Sequence, residues 1–135
     1  MNDNSFIDTN ILVNCFTEDE PEKRVKALKV TDTTNTYIST QVLTEIANTL
    51  HKKFGYSWSE IEPTLNEINT DFNVYVNKPY NIERACKIAE KYHYSFYDSL
   101  IISAALSCNC KILYSEDMQN GQIIENSLTI INPFN

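Results

Sequence analysis

Glycine occurs twice, proline four times and histidine twice in 135 residues, which leaves little material for flexible linkers or imidazole chemistry. His51 sits beside Lys52 and Lys53, His93 precedes a helix-like run, and neither has a second histidine placed to make a metal pair or a general-base partner. No apolar run approaches the roughly 18 residues of a membrane-spanning helix. Met1-Asn2-Asp3-Asn4 has neither the basic nor the apolar region of a secretion signal, so a cytoplasmic protein with no membrane partner is expected. Basic residues are outnumbered 11 to 18, for a net charge of −7, which excludes tight and indiscriminate binding of nucleic acid through charge alone. The bases fall in small groups, Lys23-Arg24-Lys26-Lys29, Lys52-Lys53 and Arg84-Lys87-Lys91, each read as a solvated helix face. Cysteine shows no disulfide-scaffold spacing. Cys15, Cys86, Cys108 and Cys110 lie inside apolar patterns as small core residues, and Cys108-Asn109-Cys110 lacks the further ligands of a structural zinc.

What is present is ordinary for a folded chain, 42% hydrophobic and 21% charged, with no repeat, and residues 1–135 are expected to form one domain. Short β-type runs alternate with helix-spaced ones. Five strands are predicted, at Phe6-Ile7, Tyr37 to Ser39, Phe72 to Val76, Lys111 to Tyr114 and Leu128 to Ile131. Helices are predicted from about Glu22 to Val30, after Thr40 as cap, after the capping-box pattern Ser57-Trp58-Ser59-Glu60, and after Asn81 as cap. Gly55 should end the helix that Thr40 opens, and Trp58 is read as a packing residue. Strands separated by helices throughout predict an α/β fold, a mostly parallel sheet with helices on both faces.

Acids stand at the transitions of this pattern. Asp8 follows the first strand, where a helix begins, and Asp117 breaks off the fourth strand in the same way. Parallel sheets bind ligands beyond the carboxyl ends of their strands, where strand order reverses. Asp98 lies in the first turn of Phe96 to Leu106, a run apolar nearly all round, about 40° from Ile102 at ~100° per residue. A carboxylate on such a face is costly unless neutralised. Glu45 borders the stripe Val42-Leu43-Ile46-Ala47-Leu50, about 60° from Val42. If the first and fourth strands are neighbours, acids far apart in the chain meet, and clustered carboxylates repel unless cations lie between them. With no histidine or paired cysteine in the set, the ion expected is a hard one, Mg²⁺ or Mn²⁺. One or two such ions lower the pKa of water for attack on a phosphodiester.

Phe6-Ile7-Asp8-Thr9-Asn10-Ile11-Leu12, Thr40-Gln41-Val42-Leu43-Thr44-Glu45, Phe96-Tyr97-Asp98-Ser99-Leu100-Ile101 and Leu113-Tyr114-Ser115-Glu116-Asp117-Met118-Gln119 resemble, in that order, the PIN-domain nucleases, and most nearly the VapC-type toxins of bacterial toxin–antitoxin modules. The resemblance runs from Phe6 to Phe134. It implies a single PIN-like domain with a five-stranded parallel sheet, Mg²⁺- or Mn²⁺-dependent endoribonuclease activity on RNA, a homodimer, and inhibition by a small antitoxin protein. By position, Asp8, Glu45, Asp98 and Asp117 resemble the family's metal-binding catalytic acids, and Thr9, Asn10 and Ser115 its polar supporting residues. The family often carries a further acid after the fourth. Gln119 and Asn120 are neutral here, which leaves Glu116 as the additional candidate.

Two other readings compete. Haloacid dehalogenase-like phosphatases use Asp-x-Asp-x-Thr after their first strand, but Asn10 and Leu12 replace the second acid and the threonine, so no acid remains there to protonate a leaving group. A PIN-like module that only binds RNA or protein would be expected to have lost acids, and all four are present.

Overall fold

The first strand, β1 (Ser5–Ile7), is buried along its length, as a centre strand covered on both faces must be. The protein is described here from a computed structural model covering residues 3–135; Met1 and Asn2, part of the stretch read above for a secretion signal, lie outside the described residues. From β1 the chain runs through α1 (Thr9–Val13), α2 (Pro21–Thr31), β2 (Thr36–Ser39), α3 (Thr40–Lys52), α4 (Trp58–Asp71), β3 (Asn73–Tyr75), α5 (Pro79–Tyr92), α6 (Phe96–Ser107), β4 (Ile112–Tyr114), β5 (Ile123–Ile124) and β6 (Leu128–Ile131). Among the described residues no helix is long and apolar enough to cross a membrane.

The sheet order is β3-β2-β1-β4-β6-β5, so strand order reverses at β1, which pairs in parallel with both β2 and β4. Helix α1 contacts both α2 and α3, and α3 contacts α4, while α5 packs extensively on α6. Right-handed crossovers on either side of the reversal place these two groups on opposite faces. Between them lie Phe6, Ile7, Ile38, Ile46, Ile101, Ile102 and Leu113, all essentially inaccessible.

All five expected strands form, and a sixth joins them. β5 has two residues and runs antiparallel to β6. It closes a tight hairpin in which Glu125 and Asn126 both take positive φ, 50° and 56°, and Ser127 N donates to Ile124 O. A turn of that kind favours Asn-Gly or Asp-Gly, so glutamate at its first position hides it in the sequence. The Glu125 carboxylate accepts from Lys91 Nζ (2.7 Å) and Tyr92 Oη (2.6 Å), which hold the turn to α5.

The capping box of α4 forms as expected, with Glu60 N donating to Ser57 Oγ and Ser57 N to Glu60 Oε1. Gly55, at φ 72°, follows the end of α3. Two other caps fall elsewhere. Ser39, not Thr40, holds the cap position of α3, and Thr40 Oγ1 accepts from Asn77 N instead (3.3 Å). Lys78 precedes α5, which puts Asn81 inside the helix and fully buried. Cys15 and Cys110 are core residues, Cys108 is half-buried, and Cys86 is exposed, against the expectation for it. Trp58 stacks on His51, with ring centres 4.0 Å apart, and remains 59% exposed.

Asn81 ties α5 to its neighbours. Its Oδ1 accepts from Lys78 N (3.0 Å) and Tyr75 Oη (2.8 Å), and its Nδ2 donates to Ser107 Oγ (2.9 Å) and Ser103 Oγ (3.3 Å). Asn81→Leu would strand several buried donors and acceptors at once, each costing about 1–3 kcal/mol. A loss of about 3 kcal/mol and a melting temperature lower by roughly 10 °C are expected in a thermal melt. A drop of less than a third of that would mean the network contributes little.

Candidate active site

Register builds the site. Ile7 is aligned with Tyr114 across the β1–β4 pair, so the next residue of each strand, Asp8 and Ser115, emerges side by side at the carboxyl end of the sheet. The backbone locks both in place, Asp8 N donating to Tyr114 O and Ser115 N to Ile131 O, each at 3.0 Å. The Ser115 hydroxyl then donates to Asp8 Oδ2 (2.8 Å), and Thr9 N, opening α1, donates to Asp8 Oδ1 (2.8 Å). Asp8 therefore also caps α1, so one side chain both closes the helix and faces the cavity.

Asp8 is 5% exposed. Burial pushes its carboxyl up to about 7, against the two hydrogen bonds, and the nearby Asp98 and Glu45 add to the rise. Asp98 lies in the first turn of α6, where its backbone N–H donates to Ser95 Oγ (3.1 Å). Its carboxyl too is held above the ordinary range, first by burial and then by Asp117 and Glu45. Asp8 and Asp98 are thus each influenced by acids from other parts of the fold.

They line one cavity of about 430 Å³, together with Thr9, Asn10 and Glu116. Ser115, fully buried behind it, reaches the site through Asp8. Glu45 is gripped at both oxygens. Thr9 Oγ1 donates to Oε1 (2.6 Å) and Gln41 Nε2 to Oε2 (3.2 Å), and the same amide donates to Tyr97 O (3.0 Å) in the turn that carries Asp98. Asn10 bridges the other side, its Nδ2 donating to Asp117 Oδ2 (2.9 Å) while its Oδ1 accepts from Glu116 N (3.3 Å). Asp117 is exposed at the mouth, and Glu116 is paired with Lys23 of α2. Neither Gln119 nor Asn120 lines the cavity; the Gln119 backbone N–H donates to Tyr94 Oη and Asn120 Oδ1 accepts from Asn132 N.

Among the described residues no three Asp, Glu, His or Cys side chains are gathered tightly enough to form a ready ligand group. The acids stand around the cavity, each held by its own polar neighbour. Their chemistry nonetheless fits a hard divalent ion: the donors are all oxygen, and the buried Asp8 carboxyl is faced by further carboxylates with no cation among the described residues hydrogen-bonded to it.

Sequence reasoning did not find Gln41 or the cavity-lining Asn48, Thr49 and Lys53. For Gln41 a signal existed, since it lies one helical turn before Glu45, where i,i+4 side chains meet.

A family model for the PIN domain matches residues 5–120. No curated protein matches the sequence. Among solved structures, the chain is similar to VapC20 of Mycobacterium tuberculosis, described as a sarcin-ricin loop cleaving toxin, at 18% identity and a TM-score of 0.70 over 84% of this chain and 89% of that one. It is similar to a toxin–antitoxin complex from Klebsiella pneumoniae at 19% identity and a TM-score of 0.72, covering 96% of this chain and 97% of that one. FitAcB from Neisseria gonorrhoeae superposes with a TM-score of 0.65 at 12% identity, covering 96% and 98%. At these identities the likeness is one of fold.

Proposed function

Because the chain belongs to the PIN-domain family, we propose that it is a divalent-metal-dependent endoribonuclease in which Asp8, Glu45, Asp98 and Asp117 hold Mg²⁺ or Mn²⁺ and RNA is the substrate. The observation that carries this reading is the meeting of the four acids around one cavity at the reversal of strand order. When bound, a divalent ion supplies Lewis acidity at a phosphate and lowers the pKa of water.

The chain's own groups do the rest. Ser115 and the Thr9 amide fix the Asp8 carboxylate at the floor, and Thr9 and Gln41 hold Glu45 on the wall. Asn10 sets Asp117 at the entrance. Glu116, occupied by Lys23, supports the rim and is not assigned to the metal-binding set. The toxin and toxin–antitoxin structures of like fold support a further reading, a toxin neutralised by a small antitoxin protein, and a homodimer in the cytoplasm completes the proposal.

Incubating the purified protein with total RNA in EDTA, then restoring Mg²⁺ or Mn²⁺ and mapping the new ends, tests the proposal. Cleavage at defined positions only after the metal returns is expected. Equal cutting in EDTA would remove the metal from the reaction, and no cutting with either ion would favour a PIN-like module that binds without catalysis.

A further inference from the structure

Charge is distributed unevenly in the cavity. Seven of its lining residues are acids, and Lys53 is its one base among the described residues. Lys23, close by on α2, is already paired with Glu116 and Glu20. Lys53 pairs with none of the seven; its ammonium lies over the Phe54 ring, 5.5 Å from the centre. A lysine that stands in an acid-lined cavity without pairing to an acid is free to meet an incoming anion.

Its place on α3 says where that anion would be. Lys53 caps the carboxyl end of α3, eight residues after Glu45, about 12 Å along the axis at 1.5 Å per residue. Asn48 and Thr49 line the wall between the two. A strand of RNA carries one negative charge per nucleotide, and a wall of acids repels it wherever no cation compensates. The four acids would hold divalent ions that compensate the phosphate being cut, but not its neighbours. A cavity of about 430 Å³ has room for part of a single strand and none for a duplex.

We infer that Lys53 binds a backbone phosphate of single-stranded RNA on the far side of Asn48 and Thr49 from the acids, and so sets the register of the strand across the site. The inference rests on the nuclease reading of those acids. A lysine at this helix end also complements the helix dipole, but Lys52 is placed to do the same, is exposed as Lys53 is, and does not line the cavity, which makes it the control.

The test uses a fluorescein-labelled, unstructured oligoribonucleotide with the wild type, Lys53→Gln, Lys53→Arg and Lys52→Gln. Initial rates in Mg²⁺ are taken at several salt concentrations. Equilibrium anisotropy is measured with each substitution also carried on an Asp98→Asn chain, so that the RNA stays intact. Lys53→Gln should raise KM and Kd about tenfold, with the loss falling on KM more than on kcat, and should flatten the plot of log affinity against log salt by about 0.7, the value of one single-strand phosphate contact. Lys53→Arg should restore both, and Lys52→Gln should change neither. An unaltered salt slope in Lys53→Gln, or an equal loss in Lys52→Gln, overturns the inference even where the wild type cuts RNA. If the wild type cuts nothing but the slope change appears in anisotropy, the phosphate contact stands and the nuclease reading falls.

Discussion

Asp98→Asn is expected to lower metal-dependent RNA cleavage by at least 100-fold while the protein stays folded. The amide keeps the size of the carboxylate, the backbone N–H of residue 98 keeps its capping bond to Ser95 Oγ, and an amide can still bond the Ser95 hydroxyl that the carboxyl meets. It removes one negative charge from a half-buried position already faced by Asp117 and Glu45. If the acids hold a cation, that charge is part of what makes the cation's stay favourable. Losing an electrostatic partner of the transition state costs on the order of 3–4 kcal/mol, or 10²–10³ in rate. Asp8→Asn should lose as much, because Asp8 is the most deeply buried of the four. Asp117→Asn should lose less, since Asp117 is exposed and its Oδ2 is shared with Asn10. Initial rates with Mn²⁺, calorimetric titration with Mn²⁺ and a far-UV melt on each variant decide it. Asp98→Asn with more than a tenth of wild-type activity, or with unchanged Mn²⁺ affinity, would separate Asp98 from the chemistry.

The parts of this site that sequence made legible are those set by local pattern. A β-run that stops before Asp8, another that stops before Ser115, and an apolar helix opening at Asp98 are visible without coordinates. Parallel pairing then delivers Asp8 to Ser115 by register alone. The α4 cap was legible for the same reason, because both of its partners lie within four residues. The reading failed where a polar side chain has its partner far along the chain. Asn81 looks like a cap when only its neighbours are considered, yet Tyr75, Ser103 and Ser107 claim it for the core. Thr40 is drawn to Asn77, 37 residues away. β5 is too short for a period to show, and its turn uses a residue that such turns rarely take. Gln41 and Lys53 share the difficulty: one links α3 to the first turn of α6, and the other is an exposed lysine that only the fold brings to the cavity edge.

In EDTA the wild-type protein should become less stable as pH rises from about 4 to about 7, and the Asp8→Asn protein should lack most of that fall. Unfolded, Asp8 ionises near the ordinary carboxylate value of 3.8; folded, burial moves it up to about 7. Between those values the folded chain holds a proton that the unfolded chain has released, so stability declines with pH across the window and levels off above it. At about 1.36 kcal/mol per unit, a shift of this size corresponds to about 4 kcal/mol at pH 8. Asp98, shifted in the same direction, adds to the slope in both proteins. Asparagine has no charge to bury, so Asp8→Asn should melt roughly 10 °C above the wild type at pH 8 in EDTA, less whatever its new N–H groups lose by lacking acceptors. Adding Mg²⁺ or Mn²⁺ at pH 8 should reverse the ranking. An ion that binds only the folded protein raises its melting temperature, and the charge of Asp8, costly alone, becomes favourable beside the ion. Calorimetric melts of both proteins at pH 5, 6, 7 and 8, with and without metal, are sufficient. A wild-type melting temperature that climbs with pH in EDTA, or an Asp8→Asn protein stabilised by metal as strongly as the wild type, would mean that Asp8 is not the buried acid waiting for a cation.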